Sequence, residues 1–385
     1  MEKKTYLDYA ATTPCDPRVI NTMLPYFSKK FGNPSSIHSY GQQTRRVVEK
    51  AREKIAGYLG ADSSEVIFTS GGTESNNTAI KGIAYANKER GNHIVASSVE
   101  HHSVLKPCEF LEEQGFNITY IPVDGEGLVD INEIKEAITE DTILISIMHA
   151  NNEVGTIQPL ANISRITKEK GIYLHTDAVQ TFGHIPVNVD ELGIDLLSAS
   201  AHKLYGPKGM GLLYIRKGTR LKPFMDGGEQ ERGRRASTEN VPGIAGLGKA
   251  AEIALEEMDE ETERLRYLQK KMTEGILERL EKVKLNGHLD KRLPNNINVS
   301  IKYAEGEALV VRLNSEGICC STGSACSSSS IEASHVLKAM QVPEDLARSC
   351  LRFSLGRFTT ERDIDFALDK LVEVVKKIRY ISPRY

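Results

Sequence analysis

Short apolar runs alternate with amphipathic stretches along the first two thirds of the chain. The runs have the length and residue types of buried strands, whereas the stretches between them repeat their apolar residues every three or four positions, as helices do. The predicted strands are 93–99, 118–123, 142–148, 172–175 and 212–215, and the predicted helices between them are 104–114, 131–138 and 163–170. This alternation predicts an α/β fold with a mostly parallel sheet and helices on both of its faces.

The pattern changes after residue 241. A long helical pattern covers 241–283 and becomes strongly charged after Glu256, and the chain beyond it mixes strands with helices. A chain of 385 residues is long enough for one large and one smaller domain. We therefore expect a large domain of residues 15–255 and a small α+β domain formed by residues 1–14 and 256–385.

Composition and charge exclude several classes of function. A net charge of −3 argues against a nucleic-acid-binding surface. No apolar run approaches membrane-spanning length, and the N-terminus lacks the apolar region of a signal peptide. The six cysteines form no CxxC pair, so they indicate neither a zinc site nor a disulfide framework. We expect a cytoplasmic protein with no resident metal, no nucleic acid and no membrane contact.

An apolar run that begins at Leu196 ends in small residues, one lysine (Lys203) and a Gly/Pro-rich turn. This pattern predicts a buried strand with the lysine held where the strand ends. A desolvated lysine loses its proton readily and can then form a Schiff base. The alternative is a lysine that extends from the strand end into solvent, as most lysines do.

A strand, a double glycine and a helix start follow one another within residues 65–77. The free amides and the dipole of a helix N-terminus attract phosphate, Gly71 and Gly72 allow a close approach of the backbone, and Thr73 adds a hydroxyl. We call residues 71–73 the glycine turn. The alternative is an ordinary strand-to-helix turn with Thr73 as the N-cap. The segment is neither a Walker loop nor a GxGxxG fingerprint, which argues against ATP and NAD.

Polar residues cluster just past the carboxyl ends of the predicted strands, where parallel sheets bind ligands. They are His101 and His102, Asn151 and Asn152, and Asp177 and Gln180. We expect His102 to be structural, whereas His101 could stack on a bound ring and move protons. Asp177 could bind a cationic ligand or act as the N-cap of a following helix.

Lys203, Asp177 and the glycine turn together predict pyridoxal phosphate as the cofactor. This cofactor needs a lysine that holds its aldehyde as an imine, a carboxylate that keeps the pyridine nitrogen protonated, and an anchor for its phosphate. Ser200 and His202, beside the lysine, could add contacts to the phosphate.

The segment 318–329 is small, polar and rich in serine, which predicts an exposed loop rather than part of a core. A cysteine in an exposed loop is a candidate nucleophile, and this favours Cys326. Cys319 and Cys320 follow an apolar approach and are expected to be packed. Arg352, a lone cation on the predicted strand 351–354, could bind a substrate carboxylate in bidentate fashion, with an internal salt bridge as an equal alternative.

These motifs, in their order, resemble the NifS/IscS-like cysteine desulfurases of the class V aminotransferase family, and the resemblance covers nearly the whole chain. The motifs are FTSGGTESN at 68–76, HANNE at 149–153, HTDAVQ at 175–180, SAHK at 200–203 and STGSAC at 321–326. The resemblance implies a PLP-dependent transferase fold of type I with a mostly parallel seven-stranded sheet. It also implies a homodimer that makes L-alanine from L-cysteine and leaves a persulfide on Cys326.

The resemblance further implies a role for each site residue. Lys203 would hold the cofactor and remove the substrate α-proton, Asp177 would pair with the pyridine nitrogen, and Gln180 would pair with the ring hydroxyl. The remaining implied roles are ring stacking by His101, phosphate binding by Gly72, Thr73, Ser200, His202 and the neighbouring subunit's Thr238, cofactor and substrate contact by Asn152, substrate contact by Arg352, and sulfur uptake by Cys326.

The implied partners are L-cysteine, a second copy of the chain, and a sulfur acceptor such as an IscU-like iron–sulfur scaffold or a tRNA-thiolation protein. Cys326 could transiently ligate iron–sulfur at a scaffold interface. Two alternatives stay open. Another PLP enzyme of the family, such as an aminotransferase or a selenocysteine lyase, would share Lys203 and Asp177. A PLP-free scaffold dimer would need neither, so the presence of both argues against it.

Overall fold

The computed structural model describes residues 4–323 and 333–381, so Cys326 lies outside the described residues. Strands and helices alternate through the first part of the chain. The strands are β1 (Thr5–Tyr6), β2 (Val66–Thr69), β3 (His93–Ser97), β4 (Asn117–Ile121), β5 (Thr142–Ser146), β6 (Tyr173–Asp177), β7 (Leu196–Ser200), β8 (Gly211–Ile215), β9 (Val283–Leu285), β10 (Asn296–Ile301), β11 (Ile318–Cys319) and β12 (Cys350–Ser354). The helices are α1 (Pro17–Met23), α2 (Pro25–Ser28), α3 (Ser39–Leu59), α4 (Gly72–Ala86), α5 (His102–Glu113), α6 (Ile131–Ala137), α7 (Leu160–Lys170), α8 (Val189–Leu192), α9 (Val241–Arg279), α10 (Gly306–Ser315), α11 (His335–Ala339), α12 (Glu344–Ala347) and α13 (Glu361–Ile381).

Within the described residues, the central sheet has seven strands in the order β2-β8-β7-β6-β5-β3-β4. Strand β8 runs antiparallel to both of its neighbours, and the other neighbouring pairs are parallel. The prediction of a mostly parallel α/β sheet is therefore confirmed. Because the parallel strands end at one edge, the residues that follow them come together there.

Glycine ends two helices of the first part of the chain. Gly60 follows α3 with φ 70° and Gly171 follows α7 with φ 64°, the left-handed conformation that favours glycine. Helix α9 ends at Arg279 rather than at 283, because Leu280 turns to an extended conformation and the chain enters β9.

A smaller sheet, in the order β12-β10-β9, is antiparallel, and β1 pairs with β11 in a separate parallel ladder. The buried side chains of α9 up to Ala254 pack in the core of the central sheet, whereas those from Leu265 onwards pack in the core beside the smaller sheet. Val336 and Leu337 of α11 belong to the first of these cores. The division into residues 15–255 and 1–14 with 256–385 stays a prediction.

No helix in the described part of the chain combines the length and the apolar character that a membrane span requires. The described residues also contain no group of three or more His, Cys, Asp or Glu side chains placed to hold a metal ion.

Candidate active site

A cavity of about 300 Å³ lies at the edge of the central sheet where β6 and β7 end. Its lining residues come from eight separate parts of the chain. They are Ala10, Ala11, Gly72, Thr73, His101, Ser103, Met148, Asn152, Asp177, Val179, Gln180, Ser200, His202, Lys203, Gly323 and Arg352. Every site residue predicted within the described residues lines this cavity, with the exception of Thr238.

The amine of Lys203 is held by main-chain carbonyls of the N-terminal segment. Its Nζ donates to the carbonyl oxygens of Ala10 and Ala11, the second at 2.8 Å. Gln180 Nε2 donates to the same Ala10 oxygen at 3.1 Å. The lysine therefore lies in the cavity instead of extending into solvent. Sequence reasoning missed both alanines, because a residue that acts through its backbone carbonyl leaves no side-chain signal.

Asp177 is the last residue of β6 and is buried. Its Oδ2 accepts a hydrogen bond from Asn76 Nδ2 at 2.7 Å, and its Oδ1 accepts one from the backbone N–H of Val179 at 2.9 Å. The chain after Asp177 forms a turn rather than a helix, so the alternative of a helix N-cap is wrong. The carboxylate is fixed by two donors while it lines the cavity.

The glycine turn leaves the first amides of α4 without a side-chain cap. Gly71 is the N-cap residue, and no side chain in the described part of the chain accepts from the first turn of α4, so the alternative of Thr73 as N-cap is also wrong. A Cβ atom at Gly72 would lie 2.6 Å from Val179 Cγ2, too close for any residue other than glycine. Glu74 is the acidic residue in the first turn of α4. It pairs with Arg235 at 2.8 Å, and this ion pair neutralises its charge at the start of the helix.

Two histidines of the cavity are held in the neutral form by burial. Desolvation lowers the pKa of His101, which serves as the N-cap of α5. Desolvation, followed by the charges of Lys203 and Lys208, lowers the pKa of His202 to about 4. The neighbouring His102 does not line the cavity.

Arg352 lies on β12 and makes the internal salt bridge considered above. Its Nη2 pairs with Asp8 Oδ1 at 2.9 Å, and its Nη1 donates to the carbonyl oxygen of Asn152 at 2.9 Å. Its Nε is buried and finds no partner among the described residues. A buried donor without an acceptor is costly, so this atom favours an anionic ligand in the cavity.

Glu153, next to Asn152, is buried, and burial raises its pKa above the ordinary value. Its Oε2 accepts a hydrogen bond from Ser334 Oγ at 2.5 Å. A Cβ atom at Gly323 would lie 3.1 Å from the same oxygen. Glu153 therefore contacts Ser334 on one side of the segment that contains Cys326 and lies close to Gly323 on the other.

Thr238 lines a different cavity of about 250 Å³, together with Ser70, Arg235 and Glu239. Within one chain it is thus separated from the other predicted phosphate ligands. Its contribution from a neighbouring subunit stays a prediction.

Of the two cysteines expected to be packed, Cys320 is buried, and burial raises the pKa of its thiol to about 12. Cys319 is partly exposed on β11, which pairs with β1 in a two-stranded ladder. Only Cys320 therefore matches the expectation.

The cavity fits pyridoxal phosphate on observations of this structure. A lysine amine, a buried carboxylate and an uncapped helix start line one space, and the helix start tolerates no Cβ atom at Gly72. The unpartnered Nε of Arg352 adds a site for the carboxylate of a substrate.

Comparisons with known proteins show the family of the chain. Residues 5–366 match the family model of the class-V aminotransferases. The chain is 59% identical over 383 residues to the cysteine desulfurase IscS of Dictyoglomus turgidum, covering 100% of this chain and 97% of that protein.

Solved structures give the same fold. A NifS-like protein matches with a TM-score of 0.91 and 40% identity, covering 97% of this chain and 100% of that one. A structure titled SspA in complex with cysteine matches with a TM-score of 0.82 and 40% identity, covering 93% and 100%. The type I fold predicted for the chain is confirmed by these likenesses. The chain belongs to the class-V aminotransferase family and, within it, to the cysteine desulfurases.

Proposed function

We propose that this protein is a pyridoxal-phosphate-dependent cysteine desulfurase. It converts L-cysteine and the thiol of Cys326 into L-alanine and a persulfide on Cys326. The outer sulfur atom of that persulfide is the sulfur atom that L-cysteine loses. The observation that carries the proposal is the meeting of Lys203, Asp177, the glycine turn and Arg352 in one cavity. Full-length similarity to a protein named cysteine desulfurase, and a related structure titled as a complex with cysteine, support the choice of substrate.

Lys203, Asp177 and the glycine turn would hold the cofactor. When bound, pyridoxal phosphate accepts the electron pair released at the substrate α-carbon. The Asp177 carboxylate favours a protonated ring nitrogen, and the two donors that fix its oxygens keep it aimed at one position. The helix start and Thr73 would bind the phosphate.

Arg352 and Asn152 would orient the substrate. The buried Arg352 Nε donates to the carboxylate of cysteine, while the pairing of Nη2 with Asp8 keeps the guanidinium in place. Lys203 Nζ takes the α-proton, and the carbonyl oxygens of Ala10 and Ala11 hold that amine at the cavity. His101, neutral because it is buried, would take up a proton and pass it to the departing product.

The partners are a second copy of the chain, which supplies Thr238, and a protein that takes the sulfur from Cys326. An iron–sulfur scaffold and a tRNA-thiolation protein are the candidates. The protein acts in the cytoplasm.

The test is to incubate the purified protein with L-cysteine, quantify alanine, and locate the persulfide by mass spectrometry. We expect equal amounts of alanine and persulfide in a single turnover, with the extra sulfur on Cys326. Cys326→Ser should keep the yellow cofactor band and lose persulfide, whereas Lys203→Ala should lose both the band and alanine. Full turnover by Cys326→Ser would refute the role of that thiol and favour another reaction of the family.

A further inference from the structure

A row of hydrogen bonds connects Asp177 with His101 beside the cavity. Asn76 Nδ2 lies 2.7 Å from Asp177 Oδ2 and 2.8 Å from Ser103 Oγ. Ser103 Oγ lies 2.8 Å from His101 Nδ1, and the backbone N–H of Ser103 donates to the same nitrogen at 3.1 Å. Asn76 is fully buried and Ser103 nearly so, so bulk water does not compete for these bonds.

Chemistry fixes the direction of each bond in the row. An ionised carboxylate only accepts, so the Asn76 atom that faces Asp177 is the amide nitrogen. The second hydrogen of that nitrogen is donated to Ser103 Oγ. The hydroxyl hydrogen of Ser103 is then available to His101 Nδ1.

Nδ1 of His101 thus receives a hydroxyl donor and a backbone N–H donor. A proton on Nδ1 would point at the hydrogen of the Ser103 backbone N–H, which excludes a proton at that position. Because a neutral imidazole carries one ring N–H proton, that proton must lie on Nε2. We propose that Ser103, held by Asn76, is a positioning residue that fixes His101 as the neutral tautomer protonated at Nε2. This inference rests on the proposed function, in which His101 gives a proton during desulfuration.

Burial and two of the three charges that act on His101 favour its neutral form. Burial lowers its pKa most, Lys203 and His335 lower it further, and the Asp177 carboxylate opposes them. The ring of His102 lies 6.4 Å away. A hydrogen bond donated to the neutral imidazole also favours the neutral form, so its loss should raise the pKa.

The decisive experiment is ¹⁵N NMR of the cofactor-loaded protein labelled at histidine, with the His101 signals identified by their absence in His101→Gln. We expect an unprotonated Nδ1 and a protonated Nε2 on His101 in the wild-type protein at neutral pH. Ser103→Ala should raise the pKa of His101 by about 0.5–1 pH unit, the equivalent of one neutral hydrogen bond, while the backbone N–H that the variant keeps holds the proton on Nε2. Ser103→Thr should restore the wild-type pKa.

Ser315→Ala is the matched control, because the Ser315 hydroxyl is exposed and donates to the Arg312 carbonyl away from the cavity. It should leave the His101 signals unchanged. The acidic limb of the pH profile for alanine formation should move to higher pH with the pKa of His101 in Ser103→Ala. In Ser103→Thr it should return to its wild-type position.

A proton on Nδ1 in the wild-type protein overturns the proposal, and this result needs no folded variant. An unchanged pKa of His101 in Ser103→Ala overturns it as well. If the wild-type protein makes no alanine yet carries the proton on Nε2, the proposed function is wrong and the role of Ser103 in fixing the tautomer is supported.

Discussion

A buried ion pair between Arg52 and Glu231 fixes the loop that leads to Thr238. Arg52 Nη1 lies 2.6 Å from Glu231 Oε2 and Nη2 lies 3.1 Å from Oε1, with side chains only 4% and 3% exposed. The backbone N–H of Phe68 donates to the same carboxylate at 3.0 Å. Glu231 has φ 48°, a left-handed conformation that costs energy for a residue other than glycine, so its contacts must hold it there.

Glu231→Gln would leave the buried guanidinium of Arg52 with one counter-charge, the half-exposed Glu49 whose Oε2 lies 3.4 Å from Arg52 Nε. Removing one partner of a buried pair costs about 3–5 kcal/mol of folding free energy. The pair of Lys106 with Glu109 has the same 2.6 Å separation, but its side chains are 65% and 48% exposed. Glu109→Gln should therefore cost less than about 1 kcal/mol, because water solvates the remaining ammonium. The two substitutions change charge identically and differ in burial.

Urea unfolding followed by circular dichroism, at equal protein concentration, measures both costs. We also expect Arg52→Met combined with Glu231→Leu to recover part of the loss, because an apolar pair leaves no buried charge. The reasoning is refuted if Glu231→Gln destabilises the protein no more than Glu109→Gln. It is also refuted if the unfolding free energy lost by the Arg52→Met, Glu231→Leu double variant equals the sum of the losses of its two single substitutions.

Three further predictions concern the cavity and its surroundings. Gly72→Ala should weaken pyridoxal phosphate binding at least about tenfold, since its Cβ would lie 2.6 Å from Val179 Cγ2. A titration followed by visible absorbance measures this, with Gly57→Ala, whose Cβ would meet nothing within 4 Å, as the unaffected control. Burial raises the pKa of Glu100 from 4.5 to about 8, so the folded state keeps a proton that the unfolded chain releases, and stability should fall as pH rises through this window. Urea unfolding should show that the free energy of unfolding of the wild-type protein falls by up to about 1.4 kcal/mol per pH unit, and that Glu100→Gln removes this dependence. Equal slopes for the wild-type protein and Glu100→Gln would contradict the prediction. Arg352→Lys should raise the KM for cysteine about 10- to 100-fold, because lysine lacks the planar fork; an unchanged KM in assays of alanine formation would speak against substrate contact.

Much of the fold is local and is readable from the chain. The buried runs at 93–99 and 142–148 appear as β3 and β5, and Gly60 and Gly171 end the helices they follow. The boundaries moved where pairing with a neighbouring strand decided them. The run predicted to end at residue 175 extends to Asp177, because its backbone pairs with β7 as far as Ser198.

The candidate site was predictable where a side chain carries recognisable chemistry. Lys203, Asp177 and the glycine turn each combine a functional group with a strand end or a helix start, and all three line the cavity. The carbonyl oxygens of Ala10 and Ala11 gave no such signal, because every residue has a carbonyl group. Ser103 was missed because a serine in the first turn of a helix is ordinary until its neighbours are known.

The sequence by itself determined which segments form strands and helices, and which residue types supply an amine, a carboxylate and a phosphate-binding turn. These properties depend on neighbours within a few positions, through periodicity and backbone preference. Only the tertiary structure decided that Arg352 pairs with Asp8, that Glu153 contacts Ser334, and that the hydroxyl and the backbone N–H of Ser103 both lie within hydrogen-bond distance of His101 Nδ1. Such contacts depend on distances between parts of the chain that packing alone brings together.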